Sequence, residues 1–218
     1  MDNGDMPGVF KILRKVIAPF TTPAVTRVSE TTRDPFRVLI SCILSLRTRD
    51  GTTGAASERL FRLAKTPTEM RNLPHTTIEK AIYPVGFYRN KAGVIRELCA
   101  TLVERYDSVV PETVEELLTL KGVGRKTANL VVTRGYGKPG ICVDTHVHRI
   151  TNRWGYVATK KPDETEFALR KVLPKRYWIP INDLLVTFGQ NICKPISPFC
   201  SRCRLFKYCE RVGVGKSR

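Results

Sequence analysis

The segment Leu117-Leu118-Thr119-Leu120-Lys121-Gly122-Val123-Gly124-Arg125-Lys126-Thr127-Ala128 constrains the fold of this chain more tightly than any other stretch. Leucines lead into a Gly-x-Gly turn, and Ala128, Leu130, Val131 and Val132 lead away from it, so the pattern reads helix, tight turn, helix. Gly122 and Gly124 permit positive φ and close backbone approach, which lets the amides of the turn and of the second helix converge on one anion. Arg125 and Lys126 stand where the helix dipole disfavours cations, by roughly 0.3–1 kcal/mol each. A nucleic-acid phosphate opposite them relieves that conflict. For a Gly-x-Gly taken alone, a plain connecting turn with two solvated cations is the alternative. Further on, Val143-Asp144-Thr145-His146 puts a carboxylate at the start of another helix.

The charge balance agrees with a polyanionic partner. Lys plus Arg number 37 against 20 Asp plus Glu, a formal charge of +17. No apolar run approaches the ~20 residues of a membrane-spanning helix. The polar, acidic start Met1-Asp2-Asn3-Gly4-Asp5 is unlike an export signal, so a soluble intracellular chain is expected. Its 218 residues permit one large domain or two small ones. Helical signals fill it: Val94, Ile95, Leu98, Leu102, Val103 and Tyr106 recur at three-to-four spacing, and Phe36 to Leu46 is apolar on nearly every side, as a buried helix is. Thr113 with Glu116 forms a capping-box pattern, and Pro162 with Asp163 and Glu164 marks a further helix start, as Asp183 to Phe188 marks another. Period-2 alternation is lacking, and the chain reads as all-α.

Of seven cysteines, four crowd together as Cys193-x6-Cys200-x2-Cys203-x5-Cys209. Without an export signal, metal binding explains them better than disulfides. Zinc sites use paired C-x2-4-C knuckles, and only Cys200 with Cys203 forms such a pair, so spacing alone leans only slightly towards an iron–sulfur cluster. Arg202, Arg204 and Lys207 among them read equally as a solvated basic loop or as cations offsetting a cluster and meeting a DNA strand. Cys42, Cys99 and Cys142, in apolar surroundings, read as small packed hydrophobes.

Leu120 to Ala128, Val143 to His146 and the cysteine spacing resemble, in that order, the helix–hairpin–helix, catalytic and [4Fe-4S] segments of the endonuclease III family of DNA glycosylases, and the similarity runs from about Phe36 to Cys209. The resemblance implies the helix–hairpin–helix glycosylase fold: two helical lobes with a cleft between them and a C-terminal cluster loop. A six-helix barrel would occupy residues 28–138, with the hairpin at about 113–136. The second lobe would join 1–27 to 139–218 and carry the cluster loop at 193–209. The implied activity is N-glycosidic cleavage of damaged bases, oxidised pyrimidines foremost, followed by β-elimination 3′ to the abasic site. The implied partner is double-stranded DNA containing damaged bases or abasic sites. The protein would act as a monomer, away from membranes, in the cytoplasm at the nucleoid if prokaryotic.

By the same resemblance Lys126 displaces the base at C1′ and forms a Schiff base with the sugar. Its helix N-terminus, Arg125 and partial burial all favour the neutral amine that attack requires; a phosphate-contacting lysine is the alternative. Asp144 would stabilise the oxocarbenium-like sugar, kept ionised by the helix amides it caps, whereas a plain N-cap is the alternative. Cys193, Cys200, Cys203 and Cys209 would hold the [4Fe-4S] cluster. Gly122, Val123, Gly124 and Arg125 would meet the DNA backbone, while His146 reads evenly as a DNA contact or a structural residue. Phe87, flanked by the polar Arg89, Asn90 and Lys91 that suit phosphates, would be the apolar wedge inserted into the base stack, with a core aromatic as the alternative. One residue departs from the family pattern: Arg47 in Ser45-Leu46-Arg47-Thr48 stands where many relatives carry Gln to fill the hole left by the flipped nucleotide. Arginine forks favour guanine. Two rivals remain: a monofunctional mismatch glycosylase, which typically lacks lysine at position 126, and a non-catalytic helix–hairpin–helix DNA-binding protein.

Overall fold

In the computed structural model, which describes residues 1–21, 23–32 and 34–218, every regular element among the described residues is helical, in agreement with the all-α reading. No described helix is long and apolar enough to cross a membrane. The chain forms two compact units, Met1–Pro23 with Ile141–Arg218, and Ala24–Gly140.

The first unit holds α1 (Met6–Ile17), α10 (Thr145–Arg153), α11 (Pro162–Val172) and α12 (Pro180–Asn191). Met6, Val9, Phe10 and Leu13 recur at three-to-four spacing along α1 and are fully buried against Val147, Ile150 and Trp154 around α10 and Leu184, Leu185 and Phe188 of α12. Phe10 stacks on Tyr177 with centroids 4.1 Å apart. Pro162 opens α11, with Asp163 and Glu164 in its first turn and Arg170 and Lys171 in its last, the charge order the helix dipole favours.

The second unit is built around α3 (Pro35–Ser45), in which every residue from Val38 to Leu44 is buried. Asp34 starts it by accepting from the amides of Phe36 and Arg37. Around α3 pack α2 (Ala24–Thr32), α4 (Asp50–Leu63), α7 (Tyr88–Arg105), α9 (Arg125–Leu130) and the π-helical turn Val131–Gly135. The short α5 (Pro67–Asn72) and α6 (His75–Ile82) lie against α7. On α7 the buried stripe is Lys91, Ala92, Ile95, Leu98, Cys99 and Leu102. Ile95, Leu98 and Leu102 of the expected stripe are in it, and a lysine has joined them. Cys42, Cys99 and Cys142 are all buried, as expected of small hydrophobes.

Candidate active site and cysteine centre

In the second unit the hairpin begins with α8 (Val114–Leu117), a single turn. Thr113 caps it by accepting from the Glu116 amide, while its hydroxyl donates to Glu116 Oε2 at 2.6 Å. The turn is closed by the Val123 amide donating to Leu120 O, and both side chains are buried. Val123 therefore offers only its backbone to a ligand. Gly122 adopts φ +79°, and a Cβ there would stand 2.6 Å from Val94 Cγ1, so glycine is required twice over. Gly124, extended at φ −99°, is the N-cap of α9 and brings no side chain over its first amides. Arg125 and Lys126 follow in the first turn, both half-buried. The Lys126 charge is felt inside the unit: burial pushes the Cys42 thiol up to about 12, and Lys126 opposes that rise.

Arg47 and Phe87 come together on the same unit. Both are exposed, both take left-handed backbone (φ +50° and +58°), and the Arg47 guanidinium lies 5.6 Å from the centroid of the Phe87 ring. Phe87 is 63% exposed, which is no place for a core aromatic. Lys91 corrects the sequence reading. It does not face outward beside Arg89 and Asn90 but is buried, its ammonium donating to Leu44 O, Leu46 O and Thr48 Oγ1.

In the first unit Asp144 is the N-cap of α10, with Oδ1 accepting from the amides of His146 and Val147 at 2.9 Å each. The second carboxylate oxygen takes no part in the cap. His146 is half-buried, its Nδ1 3.1 Å from Arg149 Nη2. Cys193, Cys200, Cys203 and Cys209 are free thiols lining one pocket, walled by Trp154, Phe188, Ile192, Phe199 and Phe206. Burial pushes the Cys203 thiol up to about 11, and the other three cysteines push the same way. Cys209 is raised too, again chiefly by burial. Arg153 Nη1 donates to Cys193 Sγ at 3.3 Å and to Lys194 O, and Nη2 donates to Pro195 O. Arg202 lies over the Phe199 ring and Lys207 over Tyr208, so two of the three loop cations cover aromatic faces.

The model of the HhH-GPD superfamily of base excision DNA repair proteins matches residues 40–175, and the chain belongs to that family. It is 51% identical over 188 residues to endonuclease III of Thermotoga maritima, covering 85% of this chain and 88% of that one. The fold superposes with a TM-score of 0.84 on a trapped endonuclease III–DNA covalent intermediate, at 34% identity and covering 97% of each chain. A thermostable thymine-DNA glycosylase matches with a TM-score of 0.73 at 26% identity, covering 93% of this chain and 97% of that one.

Three site residues escape a reading of the sequence. Arg149 and Arg153 carry the faint signal of cations at i, i+4 spacing on the helix that Asp144 opens; Lys91 carries none. The hairpin geometry sets an expectation for stability. Gly122→Ala should cost roughly 1–3 kcal/mol, the scale of one strained left-handed residue, read as a lower urea midpoint at unchanged slope. Gly124→Ala, whose added methyl meets nothing within 4 Å, should cost less than half as much.

Proposed function

We propose that this protein is a bifunctional DNA glycosylase and abasic-site lyase that removes oxidised pyrimidines from duplex DNA. What carries the reading is Lys126, in the first turn of α9 directly after the hairpin, in a chain of this superfamily. A formal charge of +17 favours the DNA partner, and for a prokaryotic source the same reading puts the protein in the cytoplasm with the nucleoid. The target nucleotide must leave the stack for its C1′ to be reached, at a cost of roughly a few kcal/mol that damage lowers. Lys126 Nζ then forms a bond to C1′ as the glycosidic bond breaks and the base departs with a proton. Asp144 suits the positive sugar of that step: two amides hold one oxygen, and the other oxygen is left out of the cap. The nitrogen lone pair then forms C1′=N as the C1′–O4′ bond breaks and O4′ takes up a proton, which opens the ring and gives the protonated Schiff base. Removal of a C2′ proton expels the 3′ phosphate, and water releases Lys126 from the cleaved strand. Gly122, Val123, Gly124 and Arg125 hold the flanking phosphate in this reading. His146, already engaged with Arg149, contributes to DNA contact only as part of that pair.

The cysteine pocket is read as the site of a [4Fe-4S] cluster held by Cys193, Cys200, Cys203 and Cys209. Four free thiols around one apolar-walled pocket fit that group, and burial, which raises Cys203 and Cys209, is a cost that the positive charge of bound iron would offset. Among the described residues no three metal-binding side chains converge on a single ion. Cubane ligands bind four separate irons and need no such convergence. Zinc would draw four sulfurs to within about 4 Å of one another, given a Zn–S bond of about 2.3 Å. When bound, the cluster cross-links the loop and presents its cations.

Borohydride should trap the wild-type protein on abasic DNA; Lys126→Ala should abolish trapping and keep most of the binding. Asp144→Asn, which retains the cap, should slow base release at least a hundredfold with little change in melting temperature. Trapping that survives in Lys126→Ala moves the amine elsewhere, and base release with no nicking by the wild type points to the monofunctional rival.

Anaerobically purified protein should be brown with about four iron atoms per chain. Stoichiometric zinc without iron overturns the cluster.

Arg47 is read as the residue that enters the gap beside the extruded nucleotide. Its guanidinium fork favours guanine, by roughly 1–3 kcal/mol for a good bidentate contact, so single-turnover excision should be faster opposite G than opposite A. Arg47→Gln should shrink that ratio and leave the lyase step in place. An unchanged ratio would reduce Arg47 to a phosphate contact.

A further inference from the structure

Lys91 is 6% exposed, and its ammonium has three donors and three acceptors: Leu44 O at 2.8 Å, Leu46 O at 2.5 Å and Thr48 Oγ1 at 3.2 Å. The two carbonyls end α3, where the helix dipole favours a cation. Arg47 lies between Leu46 and Thr48, so the contacts on either side of it converge on one nitrogen. Thr48 Oγ1 also accepts from the Gly86 amide at 3.2 Å and donates to Leu46 O. Phe87 follows Gly86, and its carbonyl accepts from the Lys91 amide at 3.0 Å. The two segments are in close contact: a Cβ on Gly86 would stand 2.5 Å from Arg47 O. Two left-handed residues far apart in sequence, Arg47 and Phe87, are thus held side by side through one buried amine and one hydroxyl.

We propose that Lys91 is a positioning residue for duplex invasion, fixing the Arg47 segment against the Gly86-Phe87 segment so that Arg47 and Phe87 enter the base stack as one rigid element. The inference rests on the reading of Arg47 and Phe87 as the residues that enter the stack. Lys91 touches neither substrate nor reacting atom; its effect is geometric. Left-handed backbone at a non-glycine residue is strained and persists only where surrounding contacts over-determine it, and at Arg47 the Lys91 bonds are such contacts. Burial has lowered the Lys91 amine to about 8, so it remains mostly protonated, with all three donors, at neutral pH.

The test compares a substrate whose stack must be opened with one that has none. Base excision from a duplex carrying one oxidised pyrimidine is measured under single turnover, beside strand cleavage at a preformed abasic site in a single-stranded oligonucleotide. Lys91→Met should slow duplex excision at least tenfold, and Thr48→Val, which removes the hydroxyl joining Lys91 to Gly86 without stranding a buried charge, at least threefold. Both should cleave the single strand within twofold of wild type. A fluorescent purine placed next to the lesion should brighten less with either variant, as the stack is opened less. Equal loss on both substrates in Thr48→Val, or undiminished duplex excision in a folded Lys91→Met, overturns the proposal. Phe87→Ala separates the two levels. If it lowers duplex excision while Lys91→Met and Thr48→Val do not, only the positioning role fails; if Phe87→Ala leaves duplex excision unchanged, the wedge reading falls and takes the positioning role with it.

Discussion

The carboxy-terminal unit hangs on a buried guanidinium. Arg153, 8% exposed, binds Cys193 Sγ and the carbonyls of Lys194 and Pro195 with its side chain, while its own carbonyl accepts from Cys209 Sγ and the Val212 amide. Leaving such a charge unpaired would cost 3–5 kcal/mol on the scale of broken buried pairs, so the carbonyls around it are fixed as firmly as the core. One turn earlier on the same helix face, Arg149 holds Cys193 O and Gly189 O. The end of α10 therefore sets the register of the first and last of the four clustered cysteines. Its beginning is Asp144, nine residues away, or about 13 Å at the rise of an α-helix. A single rigid helix thus fixes the carboxylate at one end and the cysteine loop at the other.

Local patterns were legible in the sequence because local physics makes them. The Gly-x-Gly turn, the Asp144 cap, the all-apolar α3 and the Pro162 helix start each depend on residues within a turn of one another. Positions held by distant partners were not legible. Lys91 sits in the run Arg89-Asn90-Lys91, which any composition rule exposes, yet its acceptors are 43 to 47 residues back in the chain. Left-handed backbone at Arg47 and Phe87 carries no mark either, since neither is glycine, asparagine or aspartate. The π-helical turn after Leu130 is equally silent: Val131 to Gly135 reads as the continuation of α9.

Cations are held in two ways, in ion pairs and on ring faces, and both occur in each unit. On the hairpin, Lys121 pairs with Glu97 and Lys138 with Glu112, which ties the hairpin and the chain beyond it to α7 and to the segment before α8. Such exposed pairs are each worth about 0–1 kcal/mol and fix little. Around the cysteine pocket the cations lie instead on ring faces: Lys194, Arg202 and Arg218 all approach Phe199, and Arg211 approaches Phe206. A cation on an aromatic face keeps its charge open to a phosphate, whereas a paired lysine has largely given it up.

A lowered amine is commonly taken as the mark of a nucleophile, and in this protein that mark falls on Lys91, not on the lysine proposed for the chemistry. Burial brings Lys91 from 10.5 to about 8, equivalent to roughly 3 kcal/mol against the charged form. Between those two values the unfolded chain binds the proton that the folded chain has released, so this group favours folding more as pH rises through that window and opposes it below. Neutral pH lies below about 8, so the amine keeps its proton there, and its three hydrogen bonds hold the ammonium in place. The same bonds leave no donor direction, and no open approach, for a sugar carbon. Lys126 differs in access: it is half-buried at the start of α9, beside amides that suit a phosphate and within electrostatic reach of α3. Attack requires a lone pair that can meet C1′. In the proposed reading, geometry at the helix start and not the size of a shift singles out Lys126 for the chemistry, and Lys91 is left a positioning role.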